Sequence, residues 1–102
     1  MSNITTLKSS ELLETITTAK EELGFTLLLD ITAVDNLHKS HPPFTRFELV
    51  YILRDSGFKE TLIYKVAVED PEVGVASISS LFGSAEWAER EVYDQYGIHF
   101  QG

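Results

Sequence analysis

Three runs in which apolar and polar residues alternate one by one govern what this chain can fold into. From Phe25 to Asp35 (FTLLLDITAVD), alternation sets Phe25, Leu27, Leu29, Ile31 and Ala33 against Thr26, Leu28, Asp30, Thr32 and Val34. From Arg46 to Arg54 it sets Phe47, Leu49, Tyr51 and Leu53 against Arg46, Glu48, Val50, Ile52 and Arg54. From Thr61 to Glu69 it sets Leu62, Tyr64, Val66 and Val68 against Ile63, Lys65 and Ala67. A period of two is the mark of a strand with one buried face. Asn36 to Thr45 contains Pro42-Pro43 and reads as a loop longer than a tight hairpin, while Asp55-Ser-Gly57 reads as a turn. An antiparallel meander is expected.

Helical patterns bracket these runs. Between Ser10 and Leu23, Leu12, Leu13, Ile16, Ala19 and Leu23 follow helical spacing, with Ser10 as cap, Gly24 as stop and a solvated face of Glu, Thr and Lys20. Asp70-Pro-Glu-Val-Gly74 breaks the strand pattern, and Ser77 to Phe82 suits one helical turn that drops Ile78, Leu81 and Phe82 onto the sheet. The expected class is α+β: two layers, a three-stranded or slightly larger antiparallel sheet packed against two helices. At 102 residues there is room for one domain.

Composition narrows the function. Sixteen acids against eight bases give a net charge of −8, which disfavours nucleic acid and anionic lipid and favours a basic protein partner. No apolar run is long enough to span a bilayer, so direct membrane insertion is not expected. There is no cysteine for disulfides, thiolate chemistry or iron–sulfur ligation. Residues 1–10 have no basic-then-apolar leader and read as cytoplasmic.

The densest chemistry lies in Ser84-Ala-Glu-Trp-Ala-Glu-Arg-Glu-Val-Tyr-Asp-Gln-Tyr-Gly-Ile98, a helix with Ser84 as its cap, Glu86 in its first turn and Gly97-Ile98 as its stop. At about 100° per residue, Ala85, Ala88, Val92, Tyr93 and Tyr96 share one side, with Glu89 among them. Glu86, Arg90 and Asp94 follow i, i+4 steps on the other, with Trp87 and Glu91 beside them. A glutamate in the apolar stripe and a tryptophan among the charges are two misfits for an ordinary surface helix. Either Trp87 covers a neighbouring loop and Glu89 reaches outward, or the charged face of Glu86, Trp87, Arg90, Glu91 and Asp94 is covered by another protein.

Catalytic motifs are missing: no phosphate loop, dinucleotide fingerprint, HExxH or GxSxG. Glu89 or Glu91 with Asp94 could in principle serve a hydrolase, but ion pairing with Arg90 lowers carboxylate pKa values where a general acid needs them raised. Asp30 and Asp35 read as surface and turn residues. His38 and His41 lack further ligands and lie beside Pro42, so no metal site is expected.

Residues Ser80 to Phe100 resemble the signature region of the C subunit, or 30-kilodalton subunit, of respiratory NADH:quinone oxidoreductase (complex I), with relatives in group 4 membrane-bound hydrogenases. Glu89, Arg90, Glu91 and Asp94 match its Glu-Arg-Glu, two residues, Asp core, and Trp87, Gly97, Ile98 and Phe100 match its flanks. Leu29 to Asp35 and Phe47 to Leu53 resemble its first two core strands. Gln95-Tyr96, Glu86 and Gly83 depart from its usual residues. The resemblance implies a scaffold subunit of the peripheral arm that binds no cofactor itself. NADH, FMN, iron–sulfur clusters and quinone would belong to the complex, with the large quinone-site subunit and the small cluster-bearing subunit as partners, on the inner face of the membrane. The two misfits of the helix, taken with this signature, give partner binding to Glu86, Trp87, Arg90, Glu91 and Asp94 and a structural role to Glu89, Tyr93, Gly97, Ile98 and Phe100. The alternatives are a subunit of a membrane-bound hydrogenase or formate hydrogenlyase, or an unrelated acidic binding module. The family typically continues past Gly102 with His-Pro and a basic segment, so the sequence reads either as a piece of a longer protein or as a short homologue.

Overall fold

The alternating runs do form three adjacent strands of one sheet in the computed structural model, which describes residues 2–36 and 46–102. In chain order the elements are β1 (Ser2–Leu7), a 3₁₀ turn (Ser9–Glu11), α1 (Leu12–Glu21), β2 (Leu27–Asp35), β3 (Phe47–Arg54), β4 (Thr61–Val68), β5 (Val75–Ala76), α2 (Ala85–Tyr96) and β6 (Phe100–Gln101). The α+β reading holds, with β2, β3 and β4 antiparallel as expected. The sheet gains a fourth strand: β1 pairs in parallel with β4, giving the order β1-β4-β3-β2. A segment to which periodicity assigned no element is thus an edge of the sheet. His38, His41, Pro42 and Pro43 lie outside the described residues.

One face of the sheet carries the core. Phe47, Leu49, Tyr51 and Leu53 of β3 stand opposite Val68, Val66, Tyr64 and Leu62 of β4, and all but the half-buried Leu62 are buried. Leu12, Ile16 and Ala19 of α1 and Ala85 and Val92 of α2 join them in one cluster. Burying a side chain of this size stabilises the fold by roughly 1.5–3 kcal/mol relative to exposure. Both helices therefore pack by part of the apolar stripe their spacing predicts.

Several local expectations need correction. Ser10 does not cap α1: it falls inside the 3₁₀ turn, which the Lys8 N–H closes by donating to Glu11 Oε1 at 2.9 Å. Leu13 and Leu23, placed in the buried stripe by spacing, are exposed. Gly24 does stop the helix, in a left-handed conformation (φ +79°) that lets the Phe25 N–H reach back to Ala19 O at 2.9 Å. Lys20 is not merely solvated, since its Nζ donates to Leu81 O at 2.6 Å and lies 5.4 Å from the Phe82 ring centre. In β2, a bulge between Leu28 and Asp30 breaks the alternation, so Leu28 rather than Leu27 faces the core and Leu29 turns out to solvent.

A small second sheet anchors the C-terminal segment. β5 and β6 pair in parallel, Val75 with Phe100 and Ala76 with Gln101. Gly74 makes the approach possible: at φ +73°, a Cβ on it would stand 1.8 Å from His99 O. The segment after α2 is thereby laced to the segment before it, with Val75 N–H donating to His99 O and Ser77 N–H to Gln101 O.

Candidate functional site

Helix α2 is fixed at its C-terminal end by Gly97, left-handed at φ 70°, whose N–H donates to Tyr93 O at 2.8 Å, and by Ile98, fully buried just beyond it. Ser84 occupies the N-cap position without a side-chain bond to the helix. Ala85 N–H is instead met by Phe82 O at 3.1 Å, from the helical turn predicted at Ser77 to Phe82. That turn is formed, with the N–H groups of Leu81 and Phe82 both donating to Ile78 O.

Glu89 decides how α2 sits. It is only 6% exposed, and both carboxylate oxygens are used. Oε1 accepts from the Ser77 hydroxyl at 2.6 Å and Oε2 from the Ile78 N–H at 2.9 Å. The Ser79 N–H in turn donates to Ser77 Oγ at 3.1 Å. The carboxylate therefore serves as a cap for the Ile78 turn, supplied by another element. Burial pushes its pKa up, the two donated hydrogen bonds pull it down, and nearby Glu86 adds to the rise; burial wins and the net direction is upward. The buried Tyr51 hydroxyl, without a hydrogen-bond partner among the described residues, has its pKa raised by burial and then by the Glu89 charge. Glu89 thus does not reach outward, and with two bonds already made it is poorly placed to act on a substrate.

The opposite side of α2 is open. Trp87 is 70% exposed, and Glu86, Arg90, Glu91 and Asp94 are exposed around it. Among the described residues, Trp87 covers no loop. Arg90 Nε pairs with Asp94 Oδ2 at 3.8 Å, but no ion pair from Arg90 to Glu86 forms among the described residues, so only one of the two i, i+4 steps is paired. Tyr93, placed in the apolar stripe by its angle, is 46% exposed and stands edge-on to His99, ring centres 4.9 Å apart. Tyr96 does turn inward, edge-on to Phe47 at 5.8 Å. Phe100 is half buried in β6. A shallow groove of about 380 Å³ runs along this flank, lined by Glu86, Arg90, Tyr93, Asp94, His99 and Phe100, with Glu89 at its floor.

Sequence reasoning missed Ser77 and Ile78 because they are 12 and 11 residues from Glu89. The one signal was Ser77-Ile-Ser79 ahead of a helical turn, which is a capping pattern. Among the described residues no group of three or more His, Cys, Asp or Glu is arranged to hold a metal ion, and no helix is long and apolar enough to cross a membrane. Asp30 accepts from its neighbour's Ile31 N–H at 2.9 Å and Asp35 pairs with Arg46 at 3.4 Å, so these acids are not brought together as a catalytic pair.

Known proteins resemble this chain over most of its length. The chain is 38% identical over 97 residues to the C subunit of NADH-quinone oxidoreductase from Trichlorobacter lovleyi, covering 95% of this chain and 58% of that one. It is 42% identical over 81 residues to the C subunit of the Geobacter sulfurreducens oxidoreductase, covering 79% and 48%. The C/D subunit of the Hydrogenobaculum sp. oxidoreductase matches at 38% identity over 91 residues, 89% of this chain and 15% of that one. The chain thus spans about half the length of the C-subunit relatives from Trichlorobacter and Geobacter. A solved structure of Nqo5, as a trypsin-resistant fragment, superposes with a TM-score of 0.88 at 32% identity, covering 99% of this chain and 80% of that one. With its residues 5–102 matching the family model, the chain belongs to the family of the 30 Kd subunit of respiratory-chain NADH dehydrogenase.

Proposed function

We propose that the chain is a non-catalytic scaffold subunit in the peripheral arm of an NADH:quinone oxidoreductase, docked to its neighbours through the open side of α2 and the segment beyond it. The observation that carries this reading is the division of α2. Its inner face is tied down by Glu89, while its outer face leaves Trp87 in solvent among Glu86, Arg90, Glu91 and Asp94. Tryptophan and arginine are enriched at the centre of protein interfaces, and acidic residues suit the polar rim around them. The partners are the large quinone-site subunit and the small cluster-bearing subunit. The C/D name of the Hydrogenobaculum relative joins a C and a D subunit, which supports a D-type neighbour.

NADH, FMN, iron–sulfur clusters and quinone are the business of other chains in such a complex. This one has no cysteine for a cluster, and its buried Glu89 carboxylate already accepts two hydrogen bonds. Held by its partners, the subunit lies at the inner face of the membrane without entering it, in keeping with its −8 charge. Co-expression of the full-length gene product with both proposed partners tests the reading. Co-purification that survives high salt is expected for an obligate contact between subunits, and failure to co-purify with either partner overturns it.

A further inference from the structure

Helix α2 and strand β2, an edge of the sheet, do not close flush against each other. Leu28 pairs with Leu53 and Asp30 with Ile52, so Leu29 is an extra residue with no partner on β3 and is 52% exposed. It borders a hollow of about 190 Å³ whose apolar lining is Leu28, Leu29, Trp87 and Ala88, and which Asp30 and Glu91 also line. The same two carboxylates line an adjoining hollow of about 230 Å³ that continues past Thr32 and Gln95. Together the two form one furrow between helix and strand, apolar at the Trp87 end and acidic in its middle.

Three features say what fits there. A leucine extruded beside an exposed tryptophan makes an apolar patch of the kind that a partner's aliphatic side chain covers. Asp30 and Glu91, one from each wall, have no ion-pair partner among the described residues, so a cation placed between them gains from both. The bulge also twists this edge away from regular strand addition, which leaves side-chain recognition as the mode of contact. We infer that the furrow receives an extended segment of a partner protein, with an aliphatic side chain against Trp87 and Leu29 and a Lys or Arg side chain between Asp30 and Glu91. The inference rests on the docking reading above and adds to it the flank of α2 that is occupied.

Because these 102 residues contain no cysteine, a cysteine introduced at each flank can be followed by the mass of the labelled peptide that carries it. Leu29→Cys marks the furrow, Tyr93→Cys the groove on the other flank, and Lys59→Cys the exposed hairpin tip. Each is introduced into the full-length protein and labelled with a maleimide, alone and in the assembled complex. Labelling of Leu29→Cys is expected to slow by roughly tenfold or more on assembly, with Lys59→Cys unchanged. Gln95→Cys in the adjoining hollow gives the same reading should Leu29→Cys weaken assembly. A benzophenone carried on Leu29→Cys is expected to cross-link a partner segment holding an aliphatic and a basic residue close together. A cross-linked segment without a base overturns the proposed occupant. A reactive Leu29→Cys beside a protected Tyr93→Cys empties the furrow while leaving the scaffold reading intact. If neither is protected because the unmodified protein does not assemble, both readings fall.

Discussion

The two helices pack on the same face of the same sheet, yet they use their side chains in opposite ways. Helix α1 buries Leu12, Ile16 and Ala19 and turns its glutamates to water, and its one long basic side chain, Lys20, is spent inside the molecule on Leu81 O. Helix α2 buries a glutamate and leaves its tryptophan and a tyrosine outside. The first arrangement is explained by folding alone. In the second, the inner misfit has a structural reason, since Glu89 caps the Ile78 turn, but the outer one has none among the described residues. An exposed tryptophan beside the exposed Leu29 is the observation on which the proposed contact surface rests.

Mutations sharpen that contrast. Ile16→Ala in α1 should cost the most, roughly 2–5 kcal/mol, as a cavity in a fully buried site. Glu89→Ala in α2 should cost roughly 2–3 kcal/mol, because the Ile78 N–H loses its acceptor in a buried place. Glu89→Gln keeps an acceptor and should recover most of the loss. Urea unfolding midpoints check all three. Comparable losses for Glu89→Ala and Glu89→Gln would make the charge, not the cap geometry, the source of stability.

The pH dependence is a smaller effect with a definite sign. Burial raises the pKa of Glu89 in the folded state above its ordinary value of 4.5, so the folded form holds this proton more tightly than the unfolded chain. Its contribution is fully present below about pH 4.5 and is lost as pH rises through the folded value. Relative to Glu89→Gln, the unmodified chain should therefore lose stability on going from about pH 4 upward, until Glu89 is fully ionised. An advantage that grows over that range would mean that the bonds to Ser77 and Ile78 outweigh burial. Smallest of all is Asp94→Ala, which removes an exposed ion pair and should shift stability by less than about 0.5 kcal/mol.

What sequence could reveal divides along a physical line. Strands β3 and β4 were legible residue by residue because each has one clearly apolar face and a short link between them. Strand β1 was not, because SNITTL is short and polar and becomes a strand only by pairing in parallel with β4, far along the chain. The bulge at Leu29 leaves no trace in FTLLLDITAVD, whose alternation continues on paper through a register that the sheet breaks. On α2, angular position correctly separated buried Ala85, Glu89 and Val92 from exposed Trp87, Arg90 and Asp94. It misplaced Tyr93, because the width of the buried stripe depends on what lies over it, and His99 stands edge-on to Tyr93 there. The signature motif lies on α2, but the Glu89 partners lie in a segment that only the tertiary fold brings near.

The central claim is that α2 is structural on one side and adhesive on the other. The most direct measurement takes Trp87→Ala in the full-length protein and records both its unfolding midpoint and its affinity for the partner subunits, beside Lys59→Ala as a surface control. The account predicts stability within about 0.5 kcal/mol of the unmodified protein together with association weakened roughly 30-fold. Unchanged association, or a loss of stability large enough to explain the weakening, would contradict it.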